Sequence, residues 1–453
     1  MTHFPPLETI LQQLRDGHLT ARALVEMAET NHQKDDLSAY KTWAGSRAAA
    51  AAIHVDGLLK AGYDAGPLMG LPVSVKDLFG VPNLPVFAGT DTDFGTDWQQ
   101  PGPVVQRLLG QLGIVMGKTH TVEMAFGGLG MNMHWPVPRN PWGGGGRIPG
   151  GSSSGAGVSL IEGSAVVALG TDTAGSVRIP ASVTGNVGLK TTKGRWSING
   201  IVPLSPSFDT PGLLCRTVAD LRHAFLALDP DADGIDTDIP LSGLRIGVLG
   251  GTVADGVDGD VAGAVETALR AIGRGGARIT DATLSQPDPA LDLFRNGGLA
   301  APELAAFLAQ SYPDRIARLD PVVRARVDGA ADLSAVDYIR RIAAFDRMAR
   351  ITAAEFADFD LLACATVAIS PPEITSLATP GAYAAANMAV LRNTAVANLL
   401  GLCALTMPVG LDRHGMPVGL MLMAPAWQEE RLIAASLAIE KSLGTGSELL
   451  GRP

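Results

Sequence analysis

The sequence predicts a layered α/β fold, and three observations carry that prediction. Short apolar runs suited to buried strands alternate along the chain with longer segments whose apolar residues recur at helical spacing. Of the 453 residues, 46% are hydrophobic and only 18% charged, which supplies a large core and excludes a disordered chain. No segment of about 20–50 residues repeats, so solenoids and propellers are excluded. Length alone allows two or three average domains or one large α/β domain.

The chain opens helically. Leu7, Ile10, Leu11 and Leu14, then Leu24, Val25 and Met27, mark helical faces over 7–31, with Thr20 as N-cap of the second helix. An Ala-rich helix follows at 44–61, closed by Gly62. Within LMGLPVSVKDLFGV the character changes, and Val73 and Val75 read as a buried strand ending near Lys76. Residues 103–112 read as helix, 113–119 as a strand leaving into a turn, 187–190 and the turn-rich 194–213 as short strands, and 218–228 as helix. The acidic stretch 229–243 reads as a surface excursion rather than a domain break. A strand at 244–250, a helix at 261–273, mostly amphipathic helix over 290–360 and a buried strand at 361–368 follow. Helix 384–400 carries Asn387, Asn393 and Asn398, and the chain ends in two strands joined by a turn at 412–415 and a helix over 428–443.

Charge and composition narrow the function. A net charge of -10 argues against a nucleic-acid partner. The N-terminus lacks a basic region followed by an apolar core, and no apolar run is long enough to span a bilayer, so a cytoplasmic address is expected. Cys215, Cys364 and Cys403 are odd in number and far apart, which fits three buried small hydrophobes better than disulfides or a metal pattern. The eight histidines show no paired spacing for zinc. No metal or cofactor is expected.

One stretch, 143–180, stands out. It holds two Gly/Ser-rich segments flanking a small apolar run, and such glycine density needs a local reason, because glycine weakens both helices and strands. Ser152, Ser153 and Ser154 offer hydroxyls on the first segment, and Ser176 on the second. Two hydroxyl-bearing loops can thus face each other across one short buried element.

Two nearby motifs fit poorly. Residues 113–119 end in Gly-Lys-Thr like a phosphate-binding loop, but position 112, where the first glycine belongs, is Leu, so Lys118 reads as a solvated lysine just past a strand. Residues 151–155 match G-x-S-x-G with Ser153 as nucleophile, yet that elbow needs a strand immediately before it, and the preceding residues are crowded with glycine and proline. It also needs a later histidine. Only His223, in a predicted helix, and His414, in a predicted turn, remain, so a histidine-dependent esterase is the runner-up. A serine nucleophile without histidine needs another base, and a lysine serves if burial disfavours its ammonium form. Lys76, at the end of an apolar strand, is the best placed.

These residues resemble the amidase signature family. The resemblance rests on LPVSVKD at 71–77, RNPW at 139–142, GGSSSG at 150–155 and GTDTAGSVRIPA at 170–181. GNVGLKTTKGRWS, VPLSPSFDTPG and MPVGLMLMAPAWQEERLIAAS extend it over nearly the whole chain, most weakly between 285 and 385. It implies one α/β/α layered domain over 1–453, with a central mixed β-sheet surrounded by helices. Within it, 1–62 form a helical lead-in, 63–228 the signature core, 229–383 a variable, mostly helical substrate-side region, and 384–453 the rest of the core.

It also implies a Ser-cisSer-Lys triad of Ser176, Ser152 and Lys76, with a cis peptide between Gly151 and Ser152. Backbone N–H groups of Thr173, Ala174, Gly175 and Ser176 would form an oxyanion hole. Ser153, Asp172 and Arg178 would support the loops, with contact to an acidic substrate as the other role open to Arg178. Ala174 departs from many relatives, which carry glycine there. Met124, Phe126, Gly127 and Trp135 would line a substrate pocket. The reaction implied is hydrolysis of a small carboxylic amide, aliphatic, aryl or indoleacetamide-like, through an acyl-enzyme on Ser176. The amidase-like component of a partner-dependent amidotransferase stays open as an alternative, as does a homodimer.

Overall fold

Pro72–Lys76 and Ile114–Thr119 are buried along their whole length, as strands covered on both faces, although Val73, Ser74, Val75 and Lys76 alternate apolar with polar side chains. The computed structural model describes residues 4–34, 37–330 and 332–451, so the ends of the expected 1–453 domain lie outside the described residues. Its strands are β1 (Tyr40–Trp43), β2 (Pro72–Lys76), β3 (Ile114–Thr119), β4 (Val167–Asp172), β5 (Val187–Lys190) and β6 (Thr210–Cys215), then β7 (Arg245–Leu249), β8 (Arg278–Ala282), β9 (Leu361–Ala365), β10 (Cys403–Leu411) and β11 (Pro417–Ala424). They form one 11-stranded sheet in the order β1-β3-β2-β4-β6-β5-β10-β11-β9-β7-β8. β2 runs parallel to β3 and β4, β7 runs parallel to β8 and β9, and the remaining neighbours are antiparallel. A single mixed sheet flanked by helices is the architecture expected.

Most elements fall where the sequence puts them. The lead-in is two helices, Leu7–Arg15 and Ala21–Lys34, and the Thr20 hydroxyl accepts the Ala23 N–H at 3.0 Å as an N-cap. β10 and β11 form the terminal hairpin, and all three cysteines are free and buried.

Two expectations need correction, and two helices go unread. Lys118 is not a solvated lysine: it sits inside β3, fully buried, with Nζ 3.0 Å from Asp77 Oδ1. The ion pair, rather than water, holds its charge. The region 194–213 supplies one strand, β6, which starts only at Thr210, and one isolated bridge between Lys193 and Trp196. Helices over Ser154–Glu162 and Arg178–Val183 have no sequence signal, since the first is rich in Ser and Gly and the second contains Pro180. Pro180 is tolerated in the first turn, where its missing N–H has no helical partner to lose.

The parallel β2–β4 pairing positions the site. Val75 lies opposite Leu169, so both strands run out at the same edge, delivering Lys76 and the pair Thr171 and Asp172 side by side. Ligands of parallel sheets gather at such carboxyl ends. Helix Ser154–Glu162 packs against this edge so closely that a Cβ on Gly155 would lie 2.0 Å from the Ala39 carbonyl oxygen. That approach explains the glycine.

Candidate active site

Lys76 reaches from the end of β2 with no solvent exposure. Its Nζ donates to Ser152 Oγ at 2.8 Å and to Thr171 Oγ1 at 2.7 Å. An ammonium ion removed from water loses hydration that two hydroxyls do not replace. Burial therefore lowers the Lys76 pKa to about 7, against the opposing pull of Asp209 and Asp172.

Ser152 follows Gly151 through a cis peptide, and its carbonyl accepts the Val122 N–H at 3.2 Å. The two serine loops are joined by their backbones: Ser153 N donates to the Ser176 carbonyl at 3.1 Å. The Ser153 hydroxyl donates to the Thr171 carbonyl at 3.2 Å, and the Ser154 hydroxyl lies 2.7 Å from His120 Nδ1. Of the described serines in these loops, Ser176 faces the adjoining cavity. No hydrogen bond joins the Ser152 and Ser176 hydroxyls in this conformation. A serine hydroxyl turns about one bond, and catalytic contacts often tighten only when substrate binds.

The loop bearing Ser176 is fixed from beneath by a buried ion pair. Arg178 Nε and Nη2 donate to the two Asp172 carboxylate oxygens at 3.0 and 2.9 Å, and the rest of the guanidinium is used by the Thr394 carbonyl and Asn398 Oδ1. Asp172 in turn accepts the Gly175 N–H at 2.8 Å and the Val177 N–H at 3.1 Å. Burial tends to raise the Asp172 pKa, but Arg178, with Lys190 and Asn398, holds it down at about 2. Gly175 takes φ +131, and a Cβ there would sit 2.1 Å from Thr394 Oγ1. Only glycine accommodates both constraints.

The four N–H groups expected to form the oxyanion hole differ in their partners here. The Gly175 N–H is taken by Asp172, whereas those of Thr173, Ala174 and Ser176 have no acceptor among the described residues. The Thr173 hydroxyl is held by Asp209 Oδ1 at 2.6 Å, and Asp209 Oδ2 accepts the N–H groups of Leu204 and Ser205, each at 2.9 Å. Burial pushes the Asp209 pKa up to about 6. Asp209, Thr171 and Thr394 carry no role in the sequence reading. Their available signals are the SFDTPG segment, the run into GTDTAGS and the Asn-bearing helix, which spans Pro380–Leu399.

A cavity of about 520 Å³ opens over Ser176, Thr173 and Ala174, within the usual size range for small-molecule sites. Of the four residues proposed from the sequence to line a substrate pocket, Phe126 and Gly127 line this cavity. Met124 and Trp135 do not. Met124 is buried in the main hydrophobic core, and Trp135 is turned away, its Nε1 donating to the Thr90 carbonyl while its ring packs edge-on against Phe87 and His120. Neither candidate histidine is bonded to Ser153: His223 lies on helix Val218–Leu228, and His414 sits in the β10–β11 turn. Among the described residues no group of side chains is arranged to hold a metal ion, and no helix is long and apolar enough to cross a membrane.

A buried lysine joined to one serine loop, beside a second loop with unused N–H groups, defines an amidase-type hydrolase on this fold. The Amidase family profile matches residues 20–433, and the chain belongs to that family. It is 55% identical over 446 residues, covering 97% of this chain and 96% of the relative, to a 2-amino-5-chloromuconic acid deaminase of Comamonas testosteroni. Similarity to a glutamyl-tRNA(Gln) amidotransferase component of a Synechococcus strain is lower, 31% over 494 residues, covering 96% of this chain and 97% of that one. A crystal structure of an amidase superposes with a TM-score of 0.88 at 25% identity, covering 97% of this chain and all of that one.

Proposed function

We propose that this chain hydrolyses a carbon–nitrogen bond of a small carboxylic amide, releasing ammonia through an acyl-enzyme on Ser176. The observation that carries the reading is the fully buried Lys76 with Nζ 2.8 Å from Ser152 Oγ. Neutral Lys76 takes the Ser152 proton as Ser152 takes that of Ser176, which turns toward it, and Ser176 Oγ attacks the carbonyl carbon. The oxyanion is held by the N–H groups of Thr173, Ala174 and Ser176, each donor contributing about 3 kcal/mol. Protonated Lys76 returns the proton through Ser152 to the nitrogen, which leaves as ammonia. Water, deprotonated by the same relay, then attacks the ester, and the carboxylate departs. Asp172 and Arg178 act as loop supports in this scheme.

A second reading is favoured by the deaminase relative at 55% identity. Here Ser176 Oγ would add to the carbon of the imine tautomer of an unsaturated amino diacid, ammonia would leave the tetrahedral adduct, and water would add to the same carbon and displace Ser176 Oγ, giving the oxo acid or its enol. The test is ammonia release by the purified chain from a panel of primary amides and from 2-aminohexa-2,4-dienedioate, with Ser176→Ala as control. Release lost in that variant is expected. Release appearing only with added partner proteins would favour an amidotransferase component, and release that survives Ser176→Ala would end the serine assignment.

A further inference from the structure

The cavity beyond Ser176 is mostly apolar, with Phe126, Phe208, Phe294, Leu299 and Leu391 on its walls, but three arginines also line it, Arg295, Arg326 and Arg341, against one carboxylate, Asp332. In a chain of net charge -10 this local excess of cations is not background. Arg295 is accounted for, since it is exposed and paired with Asp292 at 3.0 Å. The other two are not.

Arg326, from helix Pro321–Gly329, donates one Nη1 bond to the Phe126 carbonyl at 2.7 Å and stacks its guanidinium 4.8 Å from the Phe126 ring centroid. Arg341, from helix Ala335–Ala354, donates Nη1 to the Gly298 carbonyl at 2.9 Å. Among the described residues neither has a carboxylate within ion-pair distance. A guanidinium offers five donors in a planar fork, so each retains most of its donors after a single backbone contact. Burial also lowers the Arg326 pKa, with Tyr383 and the more distant Asp320 carboxylate opposing it. Each arginine is anchored by one backbone carbonyl and left without an anion, a geometry suited to bidentate capture of a carboxylate.

We infer that Arg326 and Arg341 bind a substrate carboxylate remote from the carbon that Ser176 attacks, selecting small amides or amino acids that carry an additional carboxylate on an apolar or unsaturated stem. The assignment rests on the hydrolytic reading for its reaction but not for its binding chemistry. The phenyl and leucyl walls take the stem, and the two forks take its charged end. Under either reading of the reaction the arginines decide which substrate is held, while the serine loops act on the bond that breaks.

Binding is tested apart from turnover by calorimetric titration of hexa-2,4-dienedioate and of its neutral diamide into Ser176→Ala protein, alone and combined with R326Q, R341Q or R326K. The diacid is expected to bind the parent more tightly than the diamide and to weaken about tenfold or more in each Gln variant, with R326K intermediate. Gln variants within about twofold of the parent overturn the assignment. Should they not fold, a parent without preference for the diacid overturns it, and a preference that fades with added salt supports it. On the Ser176-containing protein, the kcat/KM ratio for the diacid monoamide over its methyl ester should fall in the Gln variants, mainly through KM. Absent turnover with the binding pattern intact would sink the hydrolytic reading alone, and normal turnover with an unchanged ratio would sink the arginine assignment alone.

Discussion

Lys76 Nζ lies 2.8 Å from Ser152 Oγ, although the first residue ends a strand and the second follows a glycine loop 76 positions further along the chain. Both side chains are shut off from solvent. A lysine so placed favours its free-base form, and the proposed relay begins there.

Replacing Lys76 by Met keeps the length and the apolar burial while removing the amine. Turnover is expected to fall by about a thousandfold or more with the fold preserved, as read by ammonia release and circular dichroism. A Lys76→Met enzyme within about tenfold of the parent would move the base elsewhere.

Because burial lowers the Lys76 pKa to about 7 and the free base is the working form, kcat/KM should rise with pH through an ascending limb centred near 7. The same shift has a stability consequence. In the unfolded chain the lysine holds its proton up to about pH 10.4, so between roughly pH 7 and that value unfolding takes up a proton. This group therefore makes the protein more stable as pH rises across that window. Chemical denaturation at several pH values, compared between the parent and Lys76→Met, reads the difference, and identical slopes would contradict a depressed lysine.

Asp209 sits under the Thr173 hydroxyl and its negative charge raises the Lys76 pKa. Asp209→Asn loses that charge and presents an amide to the Leu204 or Ser205 N–H. The ascending limb should move to lower pH while kcat drops about tenfold through a loosened loop. A limb that stays in place or moves upward would disprove the electrostatic link.

Asp172→Asn leaves Arg178 buried without its counter-charge. The expected loss is about 3–5 kcal/mol, visible as a lower denaturation midpoint, and a variant as stable as the parent would deny the pair its structural role.

Gly175→Ala should yield little folded or active protein, since φ +131 disfavours a side chain and the new methyl would meet Thr394 Oγ1. If Gly175→Ala fails, Thr394→Ser at the same contact would not restore it, because the hydroxyl oxygen remains. Thr394→Ala together with Gly175→Ala removes that oxygen but leaves the Cβ of residue 394 at 2.6 Å and Ile179 Cδ1 at 2.9 Å from the new methyl, besides the backbone strain, so little recovery is expected in soluble yield.

How much of this is legible in the sequence depends on how local each cause is. The strands around Val73 and Val75 and the hairpin from Cys403 to Ala424 follow from apolar patterning, and the structure has strands there. The helix over Ser154–Glu162 is hidden, because it is buried along its whole length and owes its stability to that packing rather than to propensity. Lys118 reads wrongly because its partner, Asp77, belongs to another segment, and a buried ion pair leaves no periodic trace. The serines and Lys76 stand out by motif. Asp209 lies in a family motif but its role does not show there, and the cavity arginines lie in none, since their meaning lies in which carbonyls and loops they meet. Trp135 is near Phe126 in sequence, which suggests the pocket, yet its ring turns the other way.

The central claim is that Ser176 forms the covalent bond. Its most direct test is peptide mapping by mass spectrometry after reaction with an activated acyl ester and rapid acid quench. The account predicts acylation on the peptide containing Ser176, at Ser176, abolished by Ser176→Ala and strongly slowed by Lys76→Met. Acylation found instead at Ser153, or unaffected by loss of the lysine, would contradict it.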